Sequence, residues 1–132
     1  MQSISLTAGQ IEELVSIAKD VLPNESCGLL LGENDAVAEI LPMRNVDESP
    51  LTFSIESTEL VDAYNLAESK GLQVIAIFHS HPAQPSPSST DIKFMEINPV
   101  VWLIYSTTEW QLKAYVYDEY VKEVTIKITA RE

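Results

Sequence analysis

His79-Ser80-His81-Pro82, followed after a short loop by Pro87-Ser88-Ser89-Thr90-Asp91, gathers two imidazoles, a hydroxyl and a carboxylate into thirteen residues. That set fits a catalytic zinc site, which takes three protein ligands and leaves the fourth position to water. Immediately upstream, Leu72 to Phe78 is a mostly apolar run rich in β-branched residues and preceded by Gly71, the pattern of a buried strand. The histidines stand where that run ends. Residues i and i+2 of a strand share a face, so both rings reach one ion if extended backbone continues through Ser80. They are also the only two histidines in the chain, which argues against a chance pair. Asp91 is the natural third ligand, because Pro87-Ser88 reads as the entry to a short helix with Ser88 as N-cap and Asp91 in its first turn. Taken alone, Asp91 would serve only the helix dipole.

Zinc held by two imidazoles and a carboxylate polarises its water and lowers the water's pKa from ~16 to about 7. Amide hydrolysis also needs a carboxylate free of the metal, to take the water's proton and return it to the leaving amine. Spacing does not choose that carboxylate. Glu25 is best placed on physical grounds, at the entrance of a core strand just after the helix-breaking Pro23-Asn24, and other glutamates compete with it. Rival chemistries are weaker. Ser88 as a nucleophile with His81 as base lacks the G-x-S-x-G elbow and leaves the second histidine without a role. Cys27 lies in an apolar run, where it packs as a small hydrophobe. A zinc nucleobase deaminase needs P-C-x-x-C, which a chain with one cysteine cannot supply.

The elements that must position these residues follow from periodicity and capping. Ile4 to Thr7 reads as a short strand, and Thr7-Ala8-Gly9-Gln10 as a capping box opening a helix over about residues 8 to 21. Cys27 to Leu31 and Ala36 to Met43 form a hairpin turned at Gly32-Glu33-Asn34-Asp35. Leu51 to Ile55 is expected to extend the sheet, and a second helix capped by Ser57 or Thr58 ends at Lys70-Gly71. After the histidine strand and the short helix, Val100 to Tyr105, Gln111 to Tyr117 and Glu123 to Thr129 read as three closing strands. The expectation is an α/β fold with a mixed sheet. The Pro/Ser-rich loop Pro82 to Ser89 is too short for a linker and reads as one wall of the site.

At 132 residues the chain is expected to be one domain, large enough for a core without disulfides or structural metal. Its 45% apolar and 21% charged residues are those of a globular protein. A net charge of −12 repels phosphate backbones and anionic membranes, so nucleic acid and membrane are not expected partners. The absence of a membrane-length apolar stretch or a leader pattern in MQSISLTAGQ, and the single Cys27, lead to a cytoplasmic expectation.

Pro23-Asn24-Glu25-Ser26-Cys27-Gly28-Leu29-Leu30-Leu31-Gly32, His79-Ser80-His81-Pro82 and Pro87-Ser88-Ser89-Thr90-Asp91 together resemble the signature of the JAMM (MPN-plus) metalloproteases of prokaryotic type, over essentially the whole chain. The family pattern is a glutamate shortly before a glycine on an early strand, then His-x-His, then Ser-x-x-Asp. The resemblance implies a cytidine-deaminase-like α/β fold, one JAMM/MPN domain over 1–132, zinc bound by His79, His81 and Asp91, Glu25 as general base and acid, and Ser88 as oxyanion donor. It further implies a zinc isopeptidase or peptidase acting at the C-terminal tail of a ubiquitin-like protein or its conjugate. Two other readings remain: a non-catalytic MPN scaffold, and a hydrolase that frees one amino acid from a ubiquitin-like sulfur carrier. Such a tail is expected to pair with a sheet edge near Met43 to Thr52. One departure from the pattern stands out: six residues, Pro82 to Pro87, separate His81 from Ser88, one fewer than the family usually has. The missing residue falls within Ala83 to Ser86, which leaves Ser89 open as the donor, although Ser88 keeps the three-residue step to Asp91.

Overall fold

The computed structural model describes residues 3–129; residues 1–2 and 130–132, the ends of the expected single domain, lie outside them. Strand β1 (Ser3–Thr7) runs directly into α1 (Ala8–Asp20). The junction is the capping box read from the sequence: the Gln10 N–H donates to Thr7 Oγ1 at 3.0 Å and the Thr7 N–H to Gln10 Oε1 at 2.9 Å. Two of the orphan donors of the first turn are thereby satisfied. Strands β2 (Cys27–Glu33) and β3 (Ala36–Met43) form the expected hairpin, with Asn34 in its turn at φ 55°. Gly32 is required there, because a Cβ would lie 2.0 Å from the Ala36 carbonyl oxygen.

Helix α2 (Ser57–Ser69) leads to β4 (Gln73–His81), α3 (Ser89–Ile97), β5 (Val101–Ser106), β6 (Leu112–Asp118) and β7 (Tyr120–Thr129). The strands are ordered β1-β3-β2-β4-β5-β6-β7 and close into a barrel. Pairing is mixed, parallel for β1 with β3 and β7 and for β4 with β5, antiparallel elsewhere. Closure between β1 and β3 rests on one pair, Ser5 with Ala36. Alternation along β2 and β4 divides the core. Leu30, Ala76 and Phe78 pack with Leu14 and Ala18 of α1, whereas Leu29 and Ile77 pack with Ala63 of α2 and Met95 of α3. Both faces of the central strands are therefore covered, which is why β4 carries apolar residues continuously.

The fold is α/β with a mixed sheet and flanking helices, as expected, and its closure into a barrel is a feature the sequence reading did not address. Two segments differ from that reading. Leu51 to Ile55 is not a strand: Thr52 O and the Ser54 N–H are taken by the Asn45 side chain, and the Val46 N–H donates to Ser54 O. Backbone groups used in that way are lost to a ladder. The segment Met43 to Thr52 consequently offers no edge between two strands. Glu56, not Ser57 or Thr58, caps α2, its carboxylate accepting the Glu59 N–H at 3.0 Å. As the sequence reading required, extended backbone continues through both histidines, because the parallel pairing of β4 with β5 extends to Ser80–Tyr105 and His81–Ser106.

Candidate metal centre

His79 and His81 lie on the last turn of pleat in β4, with ring centroids 5.3 Å apart. Asp91 reaches them from α3, whose start is fixed locally: Ser88 Oγ accepts the Asp91 N–H at 3.1 Å, and Asp91 Oδ2 accepts the Ser88 N–H at 2.9 Å. The same Oδ2 lies 3.1 Å from His79 Nε2. One ligand atom from each of His79, His81 and Asp91 falls within 4.8 Å of the others, so the short loop Pro82–Pro87 does not separate them. All three residues are buried, and His79 is fully so. The His79 ring is stacked by Phe53 at 4.8 Å and met edge-on by Trp102 at 5.9 Å.

Chemistry of the donor set tests whether these residues suit a metal. Nδ1 of His79 and both ring nitrogens of His81 are buried without a hydrogen-bond partner. Orphaned polar atoms of that kind cost about 1 to 3 kcal/mol each unless something satisfies them. A cation satisfies one nitrogen of each ring without protonating it. A tetrahedral ion with ~2.1 Å bonds draws its ligand atoms to about 3.4 Å of one another, a contraction within the reach of side-chain rotation. The residues fit. Burial and then the neighbouring His79 hold His81 below its usual pKa, which keeps its ring neutral and able to ligate. Burial alone would raise Asp91, but the hydrogen bond and charge of His79, with the Ser88 N–H and hydroxyl, outweigh it and hold the carboxyl low.

Glu25 stands two residues before β2, whose register sets Cys27 opposite His79. The Ser80 N–H donates to Ser26 O at 3.1 Å, the Ser26 N–H to Ser80 Oγ at 3.0 Å, and the two hydroxyls are 2.7 Å apart. This polar clamp ties the residue after Glu25 to the residue between the histidines. Glu25 is 5% exposed, and burial, followed by the charges of Asp91 and Asp47, pushes its carboxyl up to about 8. A cavity of about 190 Å³ is lined by Glu25, Ser88 and Asp91, and a second of about 380 Å³ by Glu25, His81 and Ser88. Ser89 lines neither. Cys27 is buried and its thiol is pushed up to about 12, by burial first and then by Glu25, so it is no nucleophile.

Three participants escaped the sequence reading: Phe53 against His79, Asn45 beneath Glu25, and Tyr115, whose hydroxyl donates to Pro85 O at 2.8 Å. None belongs to a spacing motif. An asparagine in a loop rich in Pro, Ser and Asp was the only available signal. Among the described residues, no helix is long and apolar enough to cross a membrane.

Comparison with known proteins follows the same geometry. A desampylase from Pyrococcus furiosus is 37% identical over 105 residues, covering 79% of this chain and 74% of that protein. A probable TtuB-protein conjugate cleaving protease from Thermus thermophilus is 38% identical over 87 residues, 64% of this chain and 58% of that protein. The solution structure of a protein from Desulfitobacterium hafniense superposes with a TM-score of 0.86 at 34% identity, covering 97% of this chain and 94% of that one. The model of the prokaryotic homologs of the JAB domain matches residues 7–116, a span holding Glu25, both histidines, Ser88 and Asp91, and to that family this chain belongs.

Proposed function

We propose that the chain, as one domain over 1–132, is a zinc-dependent metallo-isopeptidase or peptidase that hydrolyses the amide bond at the C-terminal tail of a ubiquitin-like protein. The observation that carries this is the meeting of His79, His81 and Asp91, within 4.8 Å of one another, beside a buried Glu25 that lines one cavity with Asp91 and another with His81. The names of the relatives from Pyrococcus and Thermus support conjugate cleavage. A substrate joined on both sides of the scissile bond suits a centre that borders two cavities. Zinc is favoured over calcium or magnesium because two imidazoles and one carboxylate make a nitrogen-rich, low-number donor set. Location in the cytoplasm is consistent with a single buried thiol. Under the same proposal the fold is cytidine-deaminase-like, a reading supported by the helices that cover both faces of the central strands.

When bound, the metal supplies Lewis acidity toward the water and the substrate carbonyl. The protein's own residues do the rest. Glu25, buried and lining cavities with the ligands Asp91 and His81, takes a proton from the attacking water and returns it to the amine nitrogen as the C–N bond breaks. Ser88 Oγ spends an acceptor site on the Asp91 N–H, which leaves its own hydrogen free to donate to the developing oxyanion. Phe53 and Trp102 exclude water from the His79 ring. The reading is tested with the pure protein and a panel of ubiquitin-like fusions, isopeptide conjugates and single-amino-acid adducts, with and without chelator. Chelator-sensitive cleavage of a fusion or conjugate is expected; a zinc-loaded protein inert to the whole panel means a scaffold.

A further inference from the structure

Asn45 is 9% exposed, and its carboxamide makes every hydrogen bond open to it. Nδ2 donates to Glu25 O and to Thr52 O, each at 3.0 Å, while Oδ1 accepts the Asp47 N–H at 3.0 Å and the Ser54 N–H at 3.1 Å. The Glu25 N–H donates to Ser49 O at 2.8 Å. Both main-chain polar groups of Glu25 are thus held by the segment that Asn45 folds, since Glu25 precedes the ladder of β2. Phe53, stacked on His79, lies between Thr52 and Ser54, the two residues that the carboxamide pins. Asp47 is tied in again through the hydroxyls of Thr52 and Ser54, at 2.9 and 3.1 Å.

We propose that Asn45 is a positioning residue for the reaction: its carboxamide holds Glu25 and the Phe53 ring as one body against the metal ligands, so that the base meets the water in fixed geometry. This rests on the assignment of Glu25 as the base. No other side chain reproduces the four bonds. Aspartate keeps the two that Oδ1 accepts and loses the two donated; leucine, of similar volume, loses all four; glutamine displaces the amide by a methylene. A proton transfer depends on placement, and a misplacement of ~1 Å costs ~100-fold in rate.

Asn45→Asp and Asn45→Leu are compared with the parent and with Glu25→Gln for zinc content, thermal stability, and kcat and KM on a ubiquitin-like fusion well below each midpoint. For the Asn45 variants kcat per folded, zinc-loaded molecule falls by about 10- to 100-fold while KM stays within about threefold. A merely structural asparagine lowers the midpoint and leaves that kcat at the parental value, a result that overturns the proposal. Should neither variant fold, amide exchange in the parent decides. The Asn45 side-chain NH2 and the Asp47 and Ser54 N–H groups exchange slowly together; a carboxamide exchanging as fast as that of exposed Asn65 overturns the proposal. Glu25→Gln separates the two failures. Parental turnover there removes the base assignment and this inference with it, whereas an inactive Glu25→Gln beside fully active Asn45 variants removes the inference alone.

Discussion

Two loops wall the candidate centre, and they are built by opposite means. The segment from Asn45 to Ile55 carries the base side and is held by a dense set of hydrogen bonds converging on one carboxamide. The segment from Pro82 to Pro87 spaces His81 from Ser88 with three prolines, Pro82, Pro85 and Pro87, and one side-chain bond to the barrel, that of Tyr115. Proline stiffness limits the unfolded chain and asks for no polar partner. A loop of that kind tolerates a missing residue so long as both ends are fixed elsewhere, by the β4–β5 ladder at His81 and by the capping box at Ser88. The Asn45–Ile55 segment also runs between fixed ends, Met43 paired with Cys27 and Glu56 capping α2, but polar bonds to one side chain set its course between them. Lesions there are expected to disturb chemistry, and lesions on the ligand side to disturb metal retention or stability.

The largest effect tests the base side. Glu25→Gln retains zinc and loses ~100- to ~10,000-fold in turnover, the usual contribution of a general acid and base. Cleavage within about threefold of the parent at saturating substrate removes Glu25 from that role. Next in size is Ser88→Gly, which costs ~100- to ~1,000-fold in turnover through loss of an oxyanion donor and only a few tenths of a kcal/mol as a cap. If Ser88→Gly stays active while Ser89→Ala is crippled with zinc intact, the shortened loop has moved the serine's role by one position.

A smaller effect separates the two sides by pH. The folded carboxyl of Glu25 is raised from its ordinary 4.5 to about 8, so the metal-free folded state binds more protons than the unfolded one between those values. Its stability therefore falls as pH rises through that window. Metal-free Glu25→Gln lacks this loss, and its thermal midpoint should exceed the parent's by a margin that grows from pH 5 to pH 8 and then levels. A constant margin contradicts the burial of that carboxyl. The smallest effect belongs to the ligand side: Tyr115→Phe removes one hydrogen bond, costs about 0.5 to 1.5 kcal/mol in stability, and leaves zinc content unchanged. Loss of zinc in that variant shows that the tether, rather than the prolines, spaces the ligands.

What the sequence revealed follows the same division. The histidine strand, the Thr7 and Ser88 capping boxes and the Asn34 turn obey rules that span a few residues, and each was legible. The meeting of His79, His81 and Asp91 was legible because they sit on such elements. The expected strand at Leu51 to Ile55 failed because Asn45 acts at separations of 7, 9 and 20 residues, capturing Thr52, Ser54 and Glu25 in a pattern no local window contains. Barrel closure was hidden for a similar reason, since it depends on Ser5 meeting Ala36 across the chain. Glu56 was passed over as a cap because Ser57 and Thr58 are the stronger formers.

On the proposed function, His79, His81 and Asp91 together hold a zinc ion on which turnover depends. The direct measurement is metal content by mass spectrometry beside cleavage of a ubiquitin-like fusion, for the parent before and after chelation, for chelated parent given zinc back, and for Asp91→Ala. The account predicts close to one zinc per chain in the parent, no cleavage after chelation, recovery in proportion to zinc restored, and a folded Asp91→Ala with little metal and no activity. Undiminished cleavage by the chelated, zinc-free parent, or full zinc occupancy in Asp91→Ala, would contradict it.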